Sequence, residues 1–210
     1  MRPLLVFLVL VPIALACARH ASVSESQCAA GDWETIGYRD GALGYRSSRL
    51  LAHQDACVPH GVTPDRAAYQ LGWQQGIEEF CDPNNGLEIG LSGRGHANVC
   101  PVPLRDDFLA AYGRGRTLFV ARDRVTSLEQ AIQYRTQRIE AIGEELVMAT
   151  AAQLNPTLLP ADRINLVARV KRLYDEKSRL AAEIPALEEE LRVRTSELEA
   201  LDRSLAAAAR

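Results

Sequence analysis

Five cysteines and a few histidines carry most of the chemistry this sequence offers. Cys17 stands at the end of an apolar run, after Ala14-Leu15-Ala16. Cys28, Cys57, Cys81 and Cys100 are spread over the next stretch. Taking Cys17 apart leaves an even number, which in an exported chain reads as two disulfides with three possible connectivities. Proximity along the chain favours Cys28 with Cys57 and Cys81 with Cys100. A zinc reading also exists. His53, Cys57 and His60 are spaced H-x3-C-x2-H, with Cys81 or His96 as a fourth ligand, but the tight Cys-x2-Cys pair of structural zinc sites is missing. Disulfides are the simpler expectation, and neither a metal nor a cofactor is expected.

Other polar groups are weaker candidates. Asp40, His53 and Ser47 or Ser48 make a hydrolytic triad on paper, without the Gly-x-Ser-x-Gly elbow. Glu78-Glu79 and Asp106-Asp107 are adjacent pairs, and neighbours on a helix point different ways. Gly93-Arg94-Gly95 and Gly113-Arg114-Gly115-Arg116 lack the Lys-Ser/Thr of a phosphate loop. No catalytic residue is assigned, and an enzyme ranks third among the functional readings. His53 is read first as a packing or capping residue one turn before Cys57. Asp40, His53, Tyr38, Trp73 and Tyr112 are kept as candidate binding residues around a Gly-lined groove.

The composition bounds the partners. Of 210 residues, 47% are hydrophobic and 24% charged, with a formal net charge of -3. That excludes a wholly disordered chain and a multi-span membrane protein. It also argues against nucleic acid, whose phosphates need clustered Lys and Arg.

Residues 1–16 read as a signal peptide: Arg2, then an apolar run Leu4 to Leu15 too short to span a bilayer, then small residues. Ala-x-Ala suits ordinary signal peptidase. Small residue then Cys resembles the bacterial lipobox, whose cysteine is acylated; Ala14 stands where Leu is commonest. Lipidation of Cys17 is the expectation, with residues 17–27 as lipidated N-terminus and linker. Multiple acyl chains give stable anchoring. Ala18 after the cysteine resembles an outer-membrane address. The expected place is the bacterial envelope, facing the periplasm.

From Trp33 to Gly115 glycines recur four apart: Gly37, Gly41; Gly72, Gly76; Gly86, Gly90. On a helix such pairs share one bare face that lets a partner backbone approach. Helix is expected over 34–54 and 64–80, with turns over 82–103, where Asp82-Pro83-Asn84-Asn85-Gly86 is a turn signal. Thr63-Pro64 reads as an N-cap with Pro at the first helical position. Tyr69, Trp73, Gly76 and Phe80 form one stripe.

These residues carry a resemblance. Cys28, Trp33, Gly37-x-x-Asp40-Gly41-x-x-Gly44, His53, Cys57, Gly61, Pro64, Tyr69, Gly72, Gly76, Phe80-Cys81, Gly86, Gly90, Gly93, Cys100 and Tyr112-x-x-Gly115 resemble the bacterial lipoprotein family filed as domain of unknown function 2799. The resemblance covers slightly under half the chain. It implies an envelope lipoprotein and brings no catalytic residues with it.

Beyond Arg105 two periodic runs follow the heptad rule. One contains Val125, Leu128, Ile132, Ile139, Ile142 and Leu146. The other contains Leu166, Val170, Leu173, Leu180, Ile184, Leu187, Leu191 and Leu198. Asn155 to Asp162, with Pro156 and Pro160, is the short connection, so the two helices should pair antiparallel. Leu146 then faces Arg169 and Val170, and Arg135 is within reach of Glu183 or Glu176. Pro185 should bend the second helix without ending it. A parallel dimer zipper over 186–205 is the rival.

The fold class expected is therefore all-α: a disulfide-stapled Gly-rich helical domain at 28–104, then an antiparallel coiled-coil hairpin at 105–210. Two functions fit. One is an envelope scaffold, held by lipid at Cys17 and reaching a partner protein or peptidoglycan with the rod. The other is a small-ligand or cell-wall-binding module.

Overall fold

A computed structural model describes residues 21–208, and every regular element in them is a helix. The expected signal peptide and Cys17 lie outside the described residues. The chain divides into two compact units, Met1–Ile77 and Glu78–Arg210. This division falls inside the stretch 28–104 read from the sequence as one domain.

The first unit opens with α1 (Glu25–Ala30), fixed by a capping box between Ser24 and Gln27. Next come α2 (Trp33–Ala42), capped by Asp32, and α3 (Leu50–Cys57). Helix α4 (Arg66–Phe80) runs across the division between the units. Val23, Cys28, Trp33, Ile36, Leu50, Cys57 and Tyr69 form the core of this unit. The expected single helix over 34–54 is broken. Gly44 takes φ +72, a left-handed conformation that ends α2, and a turn of 3-10 helix at Ser47–Arg49 restarts the chain. The cap of α4 is also displaced from Thr63. Asp65 Oδ1 accepts from the backbone N–H groups of Ala67 and Ala68 at 2.8 and 3.0 Å.

The second unit holds α5 (Pro83–Leu91), α6 (Val102–Gln153) and α7 (Pro160–Ala208). Helix α5 corrects the expectation of turns over 82–103. Asp82 accepts from the N–H of Asn84 and Pro83 occupies the first helical position, so the turn signal is a helix start. Helices α6 and α7 have 52 and 49 residues, each about 75 Å long at 1.5 Å per residue. They form an antiparallel hairpin in the expected register. Arg135 Nε donates to Glu183 at 2.7 Å, Arg138 to Glu176 at 2.9 Å, and Arg169 to Glu145 at 3.1 Å. Ile142, Leu146, Leu173 and Leu180 are buried between the helices, with Ile139 and Val170 against them. Pro185 lies inside α7, which continues past it.

Two disulfides are present: Cys28–Cys57 in the first unit and Cys81–Cys100 in the second, each with a Cα–Cα distance of 5.6 Å. With Cys57 and Cys81 oxidised, the zinc reading loses its thiolates. Among the described residues no cluster of His, Cys, Asp and Glu could hold a metal ion.

Candidate functional site

A buried polar cluster in the first unit grows from α2 and α3. Asp40 is on the inner face of α2 and is 5% exposed; His53, on α3, is 1% exposed. Their side chains meet, His53 Nε2 to Asp40 Oδ2 at 2.7 Å. The same oxygen accepts the hydroxyl of Tyr69, from α4, at 2.8 Å. Arg49 Nε stands 3.3 Å from Oδ1 as an ion pair, and its guanidinium lies over the Tyr45 ring at 4.0 Å. On the far side of the imidazole, Nδ1 is 2.7 Å from Ser22 Oγ. Burial, and then donation to Asp40, push the Tyr69 hydroxyl well above the ordinary tyrosine range, so it stays protonated and donates to Asp40.

Ser22, His53 and Asp40 thus form a hydrogen-bonded chain with the composition of a hydrolytic relay. The serine is neither Ser47 nor Ser48. Those two border an open surface depression with Leu50, Leu51, Arg66 and Gln70. Sequence reasoning placed Ser22 in a linker. The signal that would have found it is Ser24-x-x-Gln27, the capping box that starts ordered structure there. Chemically the cluster is closed. The imidazole has a partner on each nitrogen and meets the Tyr69 ring edge-on at 5.9 Å. A buried carboxylate hydrogen-bonded to His53 and Tyr69, with Arg49 beside it as an ion-pair partner, ties α2, α3 and α4 together, and Ser22 ties the N-terminal segment to them.

The other expected binding residues do not join this cluster. Tyr38 is 37% exposed and borders an open groove with Asp32, Glu34, Thr35 and Gln75. Trp73 is half-buried, and its indole N–H donates to the Tyr45 carbonyl at 2.8 Å. Tyr112 belongs to the second unit, where it packs on His96 with ring centroids 4.5 Å apart. The glycines line no groove. A Cβ on Gly37 would fall 2.0 Å from the Tyr69 carbonyl oxygen, and one on Gly76 2.0 Å from that of Tyr38. They are consumed by the backbone contact of α2 with α4.

That contact recurs in the second unit. Gly37-x2-Asp40-Gly41-x2-Gly44 on α2 has its counterpart in Gly86-x2-Ile89-Gly90-x2-Gly93 on α5. His53-x3-Cys57 answers to His96-x3-Cys100, and Tyr69-x6-Gly76-x3-Phe80 to Phe108-x6-Gly115-x3-Phe119. The contacts match residue for residue. Gly41 is set against Trp73, Gly76 and Ile77, and Gly90 against Tyr112, Gly115 and Arg116. Gly76 is set against Tyr38 and Ala42, and Gly115 against Leu87 and Leu91. Gly93 repeats the φ of +72 found at Gly44. Each copy is closed by its own disulfide. The copies differ at the centre: where the first has Asp40 and Tyr69, the second has the buried apolar pair Ile89 and Phe108.

Residues 32–117 match a family model described as "Protein of unknown function (DUF2799)". The match ends two residues after Gly115, so it runs from the cap of α2 through the last glycine of the second copy and leaves out most of the hairpin. No curated protein and no solved structure matches the chain.

Proposed function

We propose that this is a lipid-anchored protein of the bacterial envelope that works by holding and contacting other components rather than by catalysis. The observation that carries the reading is the cysteine pairing. All four cysteines after Cys17 pair with one another, which leaves none of them as a partner for Cys17 at the lipobox-like Ala14-Leu15-Ala16-Cys17. Disulfides persist in oxidising compartments. An unpaired cysteine at the end of a signal-like run is the residue that lipoprotein processing acylates. The outer membrane is the address that Ala18 suggests.

The ordered fold supports the anchor. Val23 is 6% exposed and Ser22 bonds to His53, so the folded unit starts five residues after Cys17. Five extended residues reach at most about 17 Å. The disulfide unit would therefore sit close to the lipid surface. The exposed apolar residues of the hairpin offer contacts to a partner. The alternative, a small-ligand module, is not supported by the glycine faces, which are filled by helix.

Mass spectrometry of the mature protein tests the anchor. An acylated Cys17 as the first residue supports it, and an unmodified N-terminal Cys17 or an intact Met1 rejects it. Crosslinking from the exposed rod position Tyr134 in intact cells tests the contact role, with envelope proteins or peptidoglycan as the expected adducts.

A further inference from the structure

The free end of the hairpin differs from the rest of the rod in two respects that point the same way. The first is exposure. Val147 and Met148 near the end of α6 are 69% and 72% exposed, Leu154 and Leu159 in the connection 82% and 66%, and Ile164 and Val167 on α7 71% and 56%. Lower on the rod exposed apolar residues are sparser, Val120 at 52%, Tyr134 at 65% and Val193 at 40%, and the seam residues Ile142, Leu146, Leu173 and Leu180 are buried. Pro160, Ile164, Val167, Lys171 and Tyr174 follow helical spacing along one outward stripe of α7. Leu158, Pro160, Arg163, Ile164 and Val167 line a shallow apolar depression at its top. A patch of large apolar side chains on this scale marks an interaction surface.

The second is charge. From Val147 to Arg172 the chain has four cations, Arg163, Arg169, Lys171 and Arg172, and one acid, Asp162. Directly below, acids return: Glu144 and Glu145 on α6, Asp175 and Glu176 on α7. From Leu173 onward α7 and the residues after it have nine acids and six cations. Two of the cations at the tip are tied to acids, Arg169 to Glu145 and Lys171 to Asp175. Arg163 and Arg172 have no carboxylate partner among the described residues. Apolar side chains at the extremity with cations behind them is the order in which an interfacial helix meets lipid headgroups.

The connection also suits that environment. Asn155 Oδ1 accepts from both the N–H and the hydroxyl of Thr157, at 3.0 and 2.8 Å, so these polar groups of the turn are paired within it. No described helix is long and apolar enough to cross a membrane, which limits such contact to the surface.

We propose that the hairpin tip, residues 147–172, is a membrane-contact surface that docks on bilayers rich in anionic phospholipid. The contact is separate from any lipid on Cys17. Leu154, Leu159, Ile164 and Val167 enter the headgroup layer, and Arg163, Lys171 and Arg172 face the phosphates.

The test uses the full chain with Cys17→Ser, which removes the acylation site. Co-sedimentation with phosphatidylglycerol–phosphatidylethanolamine vesicles is compared with phosphatidylcholine vesicles, for the parent and for Ile164→Asp/Val167→Asp. Both positions are exposed, and circular dichroism confirms equal helix. The expected result is binding to the anionic vesicles that weakens with salt and falls at least about tenfold in the variant. A fluorophore on Leu159→Cys should shift to the blue with anionic vesicles, and one on Tyr134→Cys should not. Equal binding of parent and variant overturns the proposal. So does concentration-dependent dimerisation that the variant abolishes without any vesicle binding, which would make a second copy the occupant. Absence of both also overturns it.

Discussion

The two Gly-crossed units are built on one plan and differ in what fills the centre. Each has a Gly-x3-Gly helix crossing a second helix, a His-x3-Cys segment, and one disulfide. In each the histidine meets the aromatic residue of the crossing helix edge-on, His53 with Tyr69 at 5.9 Å and His96 with Phe108 at 5.5 Å. Only the first has a buried carboxylate. The second shows that Ile89 and Phe108 suffice in the same positions. The plan is therefore set by backbone approach and crosslink, and the Asp40 network is an addition. Its distinctive contact is Ser22, which no residue matches in the second copy. There the imidazole Nδ1 instead accepts from the N–H of nearby Asn98 at 3.3 Å. The addition thus serves the segment that leads toward Cys17.

The comparison can be broken most severely at a crossing. Gly72→Leu puts a side chain where even a Cβ would fall 1.9 Å from the Glu34 carbonyl oxygen. The helices must separate, and the first unit should lose cooperative unfolding in a urea titration, a cost of about 3 kcal/mol or more. Gly113→Ala, with nothing within 4 Å of the new methyl, should instead stabilise by about 0.5–1 kcal/mol. The disulfides come next. They close separations of 29 and 19 residues. Cys28→Ala/Cys57→Ala and Cys81→Ala/Cys100→Ala should each cost about 3–4 kcal/mol, the longer loop slightly more.

The Asp40 network sharpens the comparison at a smaller scale. Asp40→Ala leaves His53 and Tyr69 buried without their acceptor and should cost about 2–4 kcal/mol in chemical denaturation. Asp40→Ile/Tyr69→Phe copies the second unit and should recover most of that loss. Failure to recover would mean the two copies are not equivalent inside. The smallest effect belongs to the rod. Donation from Arg138 holds Glu145 and Glu176 below the usual carboxylate range, and donation from Arg135 does the same for Glu183. A lowered folded value means these pairs stabilise the hairpin fully above the unfolded pKa, about 4.3, and stop doing so as pH falls through the folded values. Thermal melts should show the hairpin weakening between about pH 5 and 3, and Glu176→Gln should flatten that dependence.

Parts of this architecture were legible from pattern alone. The hairpin register follows from heptads on both sides of a short loop, and Arg135 reaches Glu183 as expected. Consecutive pairing of the cysteines was legible from proximity. The elements between them were harder, because one residue pattern serves two purposes. Asp82-Pro83-Asn84-Asn85-Gly86 marks a turn when nothing follows it, and a capped helix when Gly86 and Gly90 have a partner helix to lie on. Gly44 reads like the other glycines of the series, yet it alone in its helix takes a positive φ and stops it. Asp40 and His53 were singled out together, but Tyr69 and Ser22 join them only through the tertiary fold.

The pairing of the cysteines has a bearing on how the molecule is made. Each bond joins a cysteine to the next one along the chain: Cys28 to Cys57, then Cys81 to Cys100. Among these four, a chain that emerges N-terminus first presents Cys57 to Cys28 before Cys81 or Cys100 appears. Oxidation in order of appearance therefore yields the native crosslinks. Reshuffling through mixed disulfides, the slow step for interleaved patterns, has nothing to correct. Where the chain meets an oxidising compartment N-terminus first, the first unit can be locked before the long helices of the second arrive.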